Sequence, residues 1–286
     1  MNTAHFQSLL EEKRTLVMGV LNVTPDSFSD GGAFLDSHEA VRHAREMLLA
    51  GADIIDIGGK STRPPGSAYG KGAESISLRE ELQRVLPVIT SLVQEHSHIL
   101  ISIDTTRSEI ASRALEAGAT IINDVSGATE DEKMLDIARE SKAPIILMHG
   151  YGPEFCKNAI EDYHYDNVVD EVFHWLKKRI DLAKKEGITA ILADIGFGFG
   201  KKADDNIRLL SEHQRFTGLG VPMLLGVSRK STIGRILGGA PPAERLNGSI
   251  AAAIYGAMNG AKIIRTHDVK ETVEALKVTD ALIVRQ

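Results

Sequence analysis

Eight short, almost unbroken apolar runs alternate with amphipathic stretches, a pattern that predicts an α/β fold in the form of a closed (β/α)8 barrel. The runs cover residues 16–21, 53–57, 99–103, 120–122, 144–148, 190–193, 222–227 and 262–264. A strand that is apolar on both faces belongs in a parallel sheet between helices, and parallel neighbours need a helical crossover. Eight repeats in about 250 residues is the barrel count. An open doubly wound sheet is the second architecture that the alternation allows. No Ser/Gly-rich linker or shift of composition divides the 286 residues, so 1–286 reads as a single domain.

The stretch 99–127, ILISIDTTRSEIASRALEAGATIINDVSG, shows the unit most clearly. Its first apolar run stops at Asp104, and Ile110, Ala114, Leu115 and Ala117 then recur at helical spacing. Gly118 ends that helix, and a second run through Ile121 and Ile122 stops at Asn123 and Asp124. The same reasoning predicts helices over 37–50, 78–95, 131–140, 166–186, 204–212, 243–258 and 269–282. The first residues form a short helix or extension ahead of strand one. Two connections, 23–36 and 58–77, are rich in Gly, Pro and Ser. Loops longer than ~12 residues in a compact domain are commonly binding loops or lids. Both follow strands, which places them over the C-terminal mouth of a barrel.

Composition narrows the function classes. The net charge of −6 lacks the basic excess of a nucleic-acid binder. A lone cysteine, Cys156, excludes an internal disulfide framework and fits a reducing compartment. The opening MNTAHFQSLLEEKR is too polar for a signal peptide, and no apolar run approaches ~18 residues. The expectation is a cytoplasmic protein with no membrane partner.

The residues that close the strands are Asn22, Asp56, Asp104, Asn123, His149, Asp194, Lys230, and Arg265 with His267. Any one of them has a bland explanation, since Asp and Asn at strand ends often cap the next helix. Eight polar ends gathered at one mouth are better explained as a site. Asp104, Asn123 and Asp194 suit a flat heterocycle with amide-like edges. Lys230, Arg265, Arg63 and His267 offer positive charge to an anion. Phosphate commonly sits beside strands seven and eight of this fold, where Arg265, Thr266 and His267 lie. Asn22, with Asp30 nearby, is a candidate ligand for a phosphate-bound divalent ion, because Mg2+ keeps few protein ligands.

Seven ordered stretches resemble the dihydropteroate synthase family over nearly the whole chain. They are MGVLNVTPDSFSDGG (18–32), DIGG (56–59) with STRP (61–64), SIDT (102–105), INDVSG (122–127), GFGFGK (196–201), GVSRKS (226–231) and RTHDV (265–269). The Gly-rich piece 196–201 is weak by itself and lacks the phosphate-loop pattern. The resemblance implies condensation of 6-hydroxymethyl-7,8-dihydropterin pyrophosphate with 4-aminobenzoate, giving 7,8-dihydropteroate and pyrophosphate. It implies pterin contacts at Asp104, Asn123, Asp194 and Lys230, and pyrophosphate contacts at Asn22, Thr62, Arg63, Arg265 and His267. Aminobenzoate contacts fall on Phe28, Arg63, Pro64, Phe199, Lys230 and Ser231, with Asp30, Arg63 and Lys230 in catalytic roles. Mg2+ at Asn22, inhibition by sulfonamides and a homodimer are the family's further implications.

The chemistry agrees with these roles. A carboxylate accepts N–H bonds from an aminopyrimidine edge, and cations stabilise charge growing on a departing pyrophosphate. An aryl amine is neutral at pH 7 and attacks without a strong general base, so no Ser/His/Asp set is required. Closure of 24–32 and 61–66 over pyrophosphate would exclude water and order the binding. Four departures from the family pattern stand out: Lys60 for Glu, Pro65 between Pro64 and Gly66, Ile195 for Pro, and Gly150-Tyr151 for Met-Gln. The rival readings are a pterin-binding methyltransferase barrel, an aldolase with Lys230 as Schiff base, and a non-catalytic pterin-binding paralogue. Structural roles are expected for Trp175 (core or subunit interface), Arg229 (an ion pair), Ser126 and Thr106 (turn caps). Surface positions are expected for His164, His174 and His213.

Overall fold

The structure, a computed structural model, describes residues 2–24, 33–60, 76–96, 98–150 and 164–283. Helix α1 (Asn2–Glu11) leads into β1 (Leu16–Asn22), followed by α2 (Ala33–Leu49), β2 (Ile54–Gly58), α3 (Leu78–Glu95) and β3 (Leu100–Asp104). Next come α4 (Ser108–Glu116), β4 (Ile121–Asp124), α5 (Lys133–Ser141), β5 (Ile145–Met148), α6 (Val168–Lys185) and β6 (Ile191–Asp194). The chain continues with α7 (Ala203–Ser211), β7 (Met223–Leu225), α8 (Ser231–Ile236), α9 (Leu246–Met258), β8 (Ala261–Thr266) and α10 (Val269–Ile283). Each strand pairs in parallel with the next, and β8 returns to β1 with Leu16 opposite Ile263 and Met18 opposite Arg265. That closure is the (β/α)8 barrel and rules out the open sheet.

Two details differ from the sequence pattern. The segment between β7 and β8 carries two helices, because α8 starts immediately after Lys230, ahead of the expected stretch 243–258. Helix α2 begins at Ala33 rather than at residue 37. The amphipathic period is read from buried positions, and the first turn of a helix contributes few of them.

Strand alternation sorts the core into two layers. Leu16, Met18, Ile54, Leu100, Ile121, Ile146, Leu192, Leu224 and Ile263 form a cluster inside the barrel, and Phe6 and Leu9 of α1 pack on the same cluster. Helix α1 therefore plugs the N-terminal end. The intervening residues, such as Val17, Ile55, Ile101, Ile122 and Ile264, face outward and pack with the helices. Each such residue, fully buried, contributes roughly 1.5–3 kcal/mol relative to an exposed position.

Helix ends are set locally. The Ser77 side chain accepts from the Glu80 N–H at the start of α3, and Asn167 does the same for Asp170 N–H at the start of α6. Acidic residues in the first turn of α6 and Lys184 and Lys185 in its last turn suit the helix dipole. Among the described residues no helix is long and apolar enough to cross a membrane. Cys156 and much of the two long connections lie outside the described residues.

Candidate active site

Moving two residues along an inward face, from Ile54 to Asp56, from Ile121 to Asn123, from Leu192 to Asp194 and from Ile263 to Arg265, replaces the apolar floor with polar side chains. In β3 the step runs from Leu100 through Ser102 to Asp104. Register aligns them across the mouth: Gly58 is opposite Asp104, Asp104 opposite Asn123, and Met148 opposite Asp194.

Arg265 is the hub. Its Nε donates to Asp56 Oδ2 at 2.6 Å and its Nη2 to Asp104 Oδ2 at 2.8 Å. The side chain thus reaches from β8 to β3 across the mouth, past β1 and β2. Asn123 Nδ2 donates to the same Asp56 oxygen at 3.1 Å. Asp56 is fully buried and Asp104 nearly so, yet the second oxygen of each has no hydrogen-bond partner among the described residues. Buried acceptors of this kind normally have partners, so they mark where a ligand with N–H groups can bind. Burial pushes the Asp104 carboxyl above the ordinary carboxylate range, while the Arg265 guanidinium pulls it back. Burial works against the Arg265 charge too, but Asp56, Asp104 and Asp194 outweigh it and hold the guanidinium protonated.

Lys230 and Asp194 form the next quarter of the mouth. Burial and the Arg265 charge lower the Lys230 ammonium to about 8, with Asp194 and Asp104 opposing. Its Nζ lies 4.0 Å from the centre of the Phe199 ring, a cation–π contact. Burial raises Asp194 to about 6 against the Gly196 N–H, which donates to its Oδ1 at 2.7 Å. Phe199 belongs to the glycine-rich turn after β6, where Gly196, Gly198 and Gly200 all have positive φ. Such a conformation favours glycine, and a Cβ on Gly196 would sit 1.6 Å from the His149 carbonyl oxygen. Lys230 occupies the N-cap of α8 and Ser231 its first position.

His267 corrects an expectation. Sequence counted it among the positive groups, but burial and the charges of Arg265, Arg229 and Lys230 push its imidazole down to about 3. It is neutral at pH 7 and acts as a hydrogen-bonding group, with Nδ1 3.0 Å from Ser228 Oγ. Asn22 is exposed at the end of β1, and its side-chain oxygen lies on the side of Gly58 that Asp104 also flanks. Among the described residues no three His, Cys, Asp or Glu side chains are grouped to hold a metal ion. A single exposed amide oxygen suits a divalent ion that takes few protein ligands and keeps most of its waters.

Asp104, Asn123, Arg265 and Asp56 are therefore joined directly, and Asp194, Lys230 and Phe199 complete the adjoining wall. Phe28, Asp30, Thr62, Arg63 and Pro64 lie outside the described residues. The sequence reading gave Asp56 no role, although its position two residues beyond Ile54 on an inward face was the available signal. Ser228, which sets the His267 ring, was likewise noted only inside a motif. His213 is fully buried, with Nδ1 on the Asn259 carbonyl, and is not the surface residue expected. Arg229 is an ion-pair partner of Asp268, and Ser126 caps the turn after β4 through Asp124. Trp175 packs edge-on against His149 and closes over Gly127, a core position.

Residues 18–267 match the family model described as pterin binding enzyme. The dihydropteroate synthase of a Synechocystis strain is 47% identical over 273 residues, covering 94% of this chain and 91% of the relative. The Xanthomonas albilineans dihydropteroate synthase, solved with 4-aminobenzoic acid, superposes with a TM-score of 0.86 at 43% identity, covering 96% of this chain and 94% of that one. The same enzyme in complex with 7,8-dihydropteroate gives 0.83 at 41% identity, over 96% and 95% of the two chains. Buried acids joined to Arg265 at the mouth of a barrel that is matched over nearly its whole length lead to one assignment: the chain belongs to the dihydropteroate synthase family of pterin-binding enzymes.

Proposed function

We propose that this chain condenses 6-hydroxymethyl-7,8-dihydropterin pyrophosphate with 4-aminobenzoate, releasing pyrophosphate and 7,8-dihydropteroate. The observation that carries the reading is Arg265 bridging Asp56 and Asp104, because it places acceptors for a pterin edge beside a cation for the leaving group. The free oxygen of Asp104 accepts N–H bonds from the aminopyrimidine, and Asn123 and Asp194 bind further ring positions. Lys230 donates to the ring and attracts the aminobenzoate carboxylate along the Phe199 wall. The methylene–oxygen bond breaks as charge accumulates on pyrophosphate, which Arg265 and the neutral His267 N–H stabilise. The aryl amine then attacks the methylene carbon and loses a proton to solvent or to the departing phosphate oxygen.

Asn22 would hold Mg2+ together with the pyrophosphate oxygens, where the ion supplies charge neutralisation. Arg63, Thr62, Asp30, Phe28, Pro64 and Ser231 complete the proposed contacts, on the grounds of the family motifs they occupy. A homodimer is proposed from the exposed apolar Tyr255 and Met258 of α9 and Val278 and Leu282 of the adjoining α10. A cytoplasmic location is proposed from the lone cysteine and from a substrate chemistry that belongs with primary metabolism.

The test is pyrophosphate release with Mg2+, with and without 4-aminobenzoate. Release coupled one-to-one to dihydropteroate, and competitive with sulfonamides against aminobenzoate, is expected. Pterin binding without turnover would replace the enzyme by a binding paralogue. Asp104→Asn exchanges a pure acceptor for a mixed group and should weaken pterin binding by roughly tenfold or more. Unchanged affinity in calorimetry would remove Asp104 from the pterin edge.

A further inference from the structure

Lys201 takes no part in the chemistry above, yet it is buried, with 3% of its surface exposed. Its ammonium has three N–H donors and three backbone carbonyls to receive them: Phe199 O at 2.8 Å, Gly196 O at 2.9 Å and His149 O at 3.2 Å. The carbonyls come from two different turns, one after β5 and one after β6. A Cβ on Gly150 would lie 2.5 Å from Phe199 O and 2.7 Å from Lys201 Nζ. The glycines of both turns therefore leave the space in which the oxygens converge.

Other contacts tie the same turn to its surroundings. Tyr165 Oη donates to Gly200 O at 2.8 Å, and Gly198 N–H donates to Asn206 Oδ1 at 2.7 Å. On the opposite face of the turn a Cβ on Gly198 would meet Lys230 Cδ at 3.0 Å. Lys230 thus lies directly against the segment that Lys201 fastens from behind. We propose that Lys201 is a positioning residue for the aminobenzoate half of the site: by drawing the two turns together it holds the Phe199 ring in place beneath the Lys230 ammonium. Apolar packing cannot do this, because the groups that must converge are carbonyl oxygens, which repel one another unless a shared donor lies between them. Burial brings the Lys201 ammonium down to about 7, with Asp194 opposing, and in its protonated form the one nitrogen supplies all the missing donors. The inference rests on the reading of Phe199 and Lys230 as the aminobenzoate wall.

The experiment is steady-state kinetics of Lys201→Met, which keeps the apolar stem and removes the donors, in the wild-type and Phe199→Ala backgrounds. Thermal unfolding checks that each variant is folded. Loss of charged hydrogen bonds at the turn should raise KM for 4-aminobenzoate about tenfold or more, and KM for the pterin substrate by less than about threefold. In the Phe199→Ala background the same substitution should add less than about twofold, since the ring it positions is already gone. Equal increases in both KM values, or full additivity with Phe199→Ala, would overturn the proposal. If Lys201→Met does not fold, Lys201→Gln, which retains two donors, should raise KM for 4-aminobenzoate by a smaller factor of about threefold and leave KM for the pterin substrate unchanged, and equal changes in both would overturn the proposal. A wild-type chain without turnover would overturn the reaction rather than the clamp. The clamp is then judged by calorimetric binding of 4-aminobenzoate in the presence of pyrophosphate, with the same fold-changes expected.

Discussion

The two ends of the barrel interior are built from the same strands and behave as opposites. At the closed end Leu16, Ile54, Leu100, Leu192 and Ile263 fill the space around Phe6 with no polar atom to satisfy. Two residues further along the same inward faces, about 7 Å away, stand Asp56, Ser102, Asp194 and Arg265. The floor is stable because its area is removed from water. The mouth holds carboxyls and cations out of water, and it tolerates them only because Arg265 and Asn123 bind to two of the acids. Stability resides at one end and unsatisfied binding capacity at the other, and the contrast is set by a step of two residues.

The contrast is broken most severely at Arg265. Arg265→Met leaves Asp56 and Asp104 buried without their cation, and removing one partner of a buried pair costs about 3–5 kcal/mol. Urea unfolding should show that loss together with a loss of turnover, whereas retained activity would detach the hub from the chemistry. Phe6→Ala attacks the floor instead. A cavity there should cost about 3–4 kcal/mol, with both KM values unchanged in enzyme that is still folded. A changed KM would mean that the two ends are not independent.

Lys230 sharpens the comparison through pH. Its folded pKa of about 8 lies below the unfolded value, so the ammonium is present below pH 8 and is lost as pH rises through it. The value of kcat/KM for 4-aminobenzoate should therefore fall about tenfold per pH unit above 8, and Lys230→Arg should remove that limb. Stability moves the other way: between about 8 and 10.5 the unfolded chain binds more protons, so wild type gains stability relative to Lys230→Met as pH rises. A kcat/KM that is flat to pH 10 would place Lys230 outside the aminobenzoate contact. The smallest effect is expected for Ile54→Val, which should cost about 1 kcal/mol without a kinetic change, although it lies two residues from Asp56, a partner of Arg265.

The barrel was legible in the chain because each strand is apolar on both faces and each helix on one, and these are local patterns. The polar strand ends were legible for the same reason. Asp104, Asn123, Asp194, Lys230 and Arg265 announce themselves as polar residues where apolar runs stop. Asp56 stands among them at the end of its run, but its role did not show, since a single acid there carries no partner with it. His267 was read as a cation because its type suggests one, whereas its neutrality comes first from burial and then from Arg265, Arg229 and Lys230 gathered around it. Lys201 closed a glycine-rich motif whose spacing says nothing about carbonyls supplied by another turn.

The order of residues by itself determined most of the elements, a parallel sheet between helices and the list of side chains available at its strand ends, because hydrophobic period and strand length depend on near neighbours, while closure of the sheet rests on β8 pairing with β1. Tertiary structure alone decided which acid meets Arg265, which imidazole stays neutral and what Lys201 holds. Those outcomes follow from charge and burial between residues up to 209 positions apart, as Asp56 and Arg265 are, and no local pattern encodes such distances.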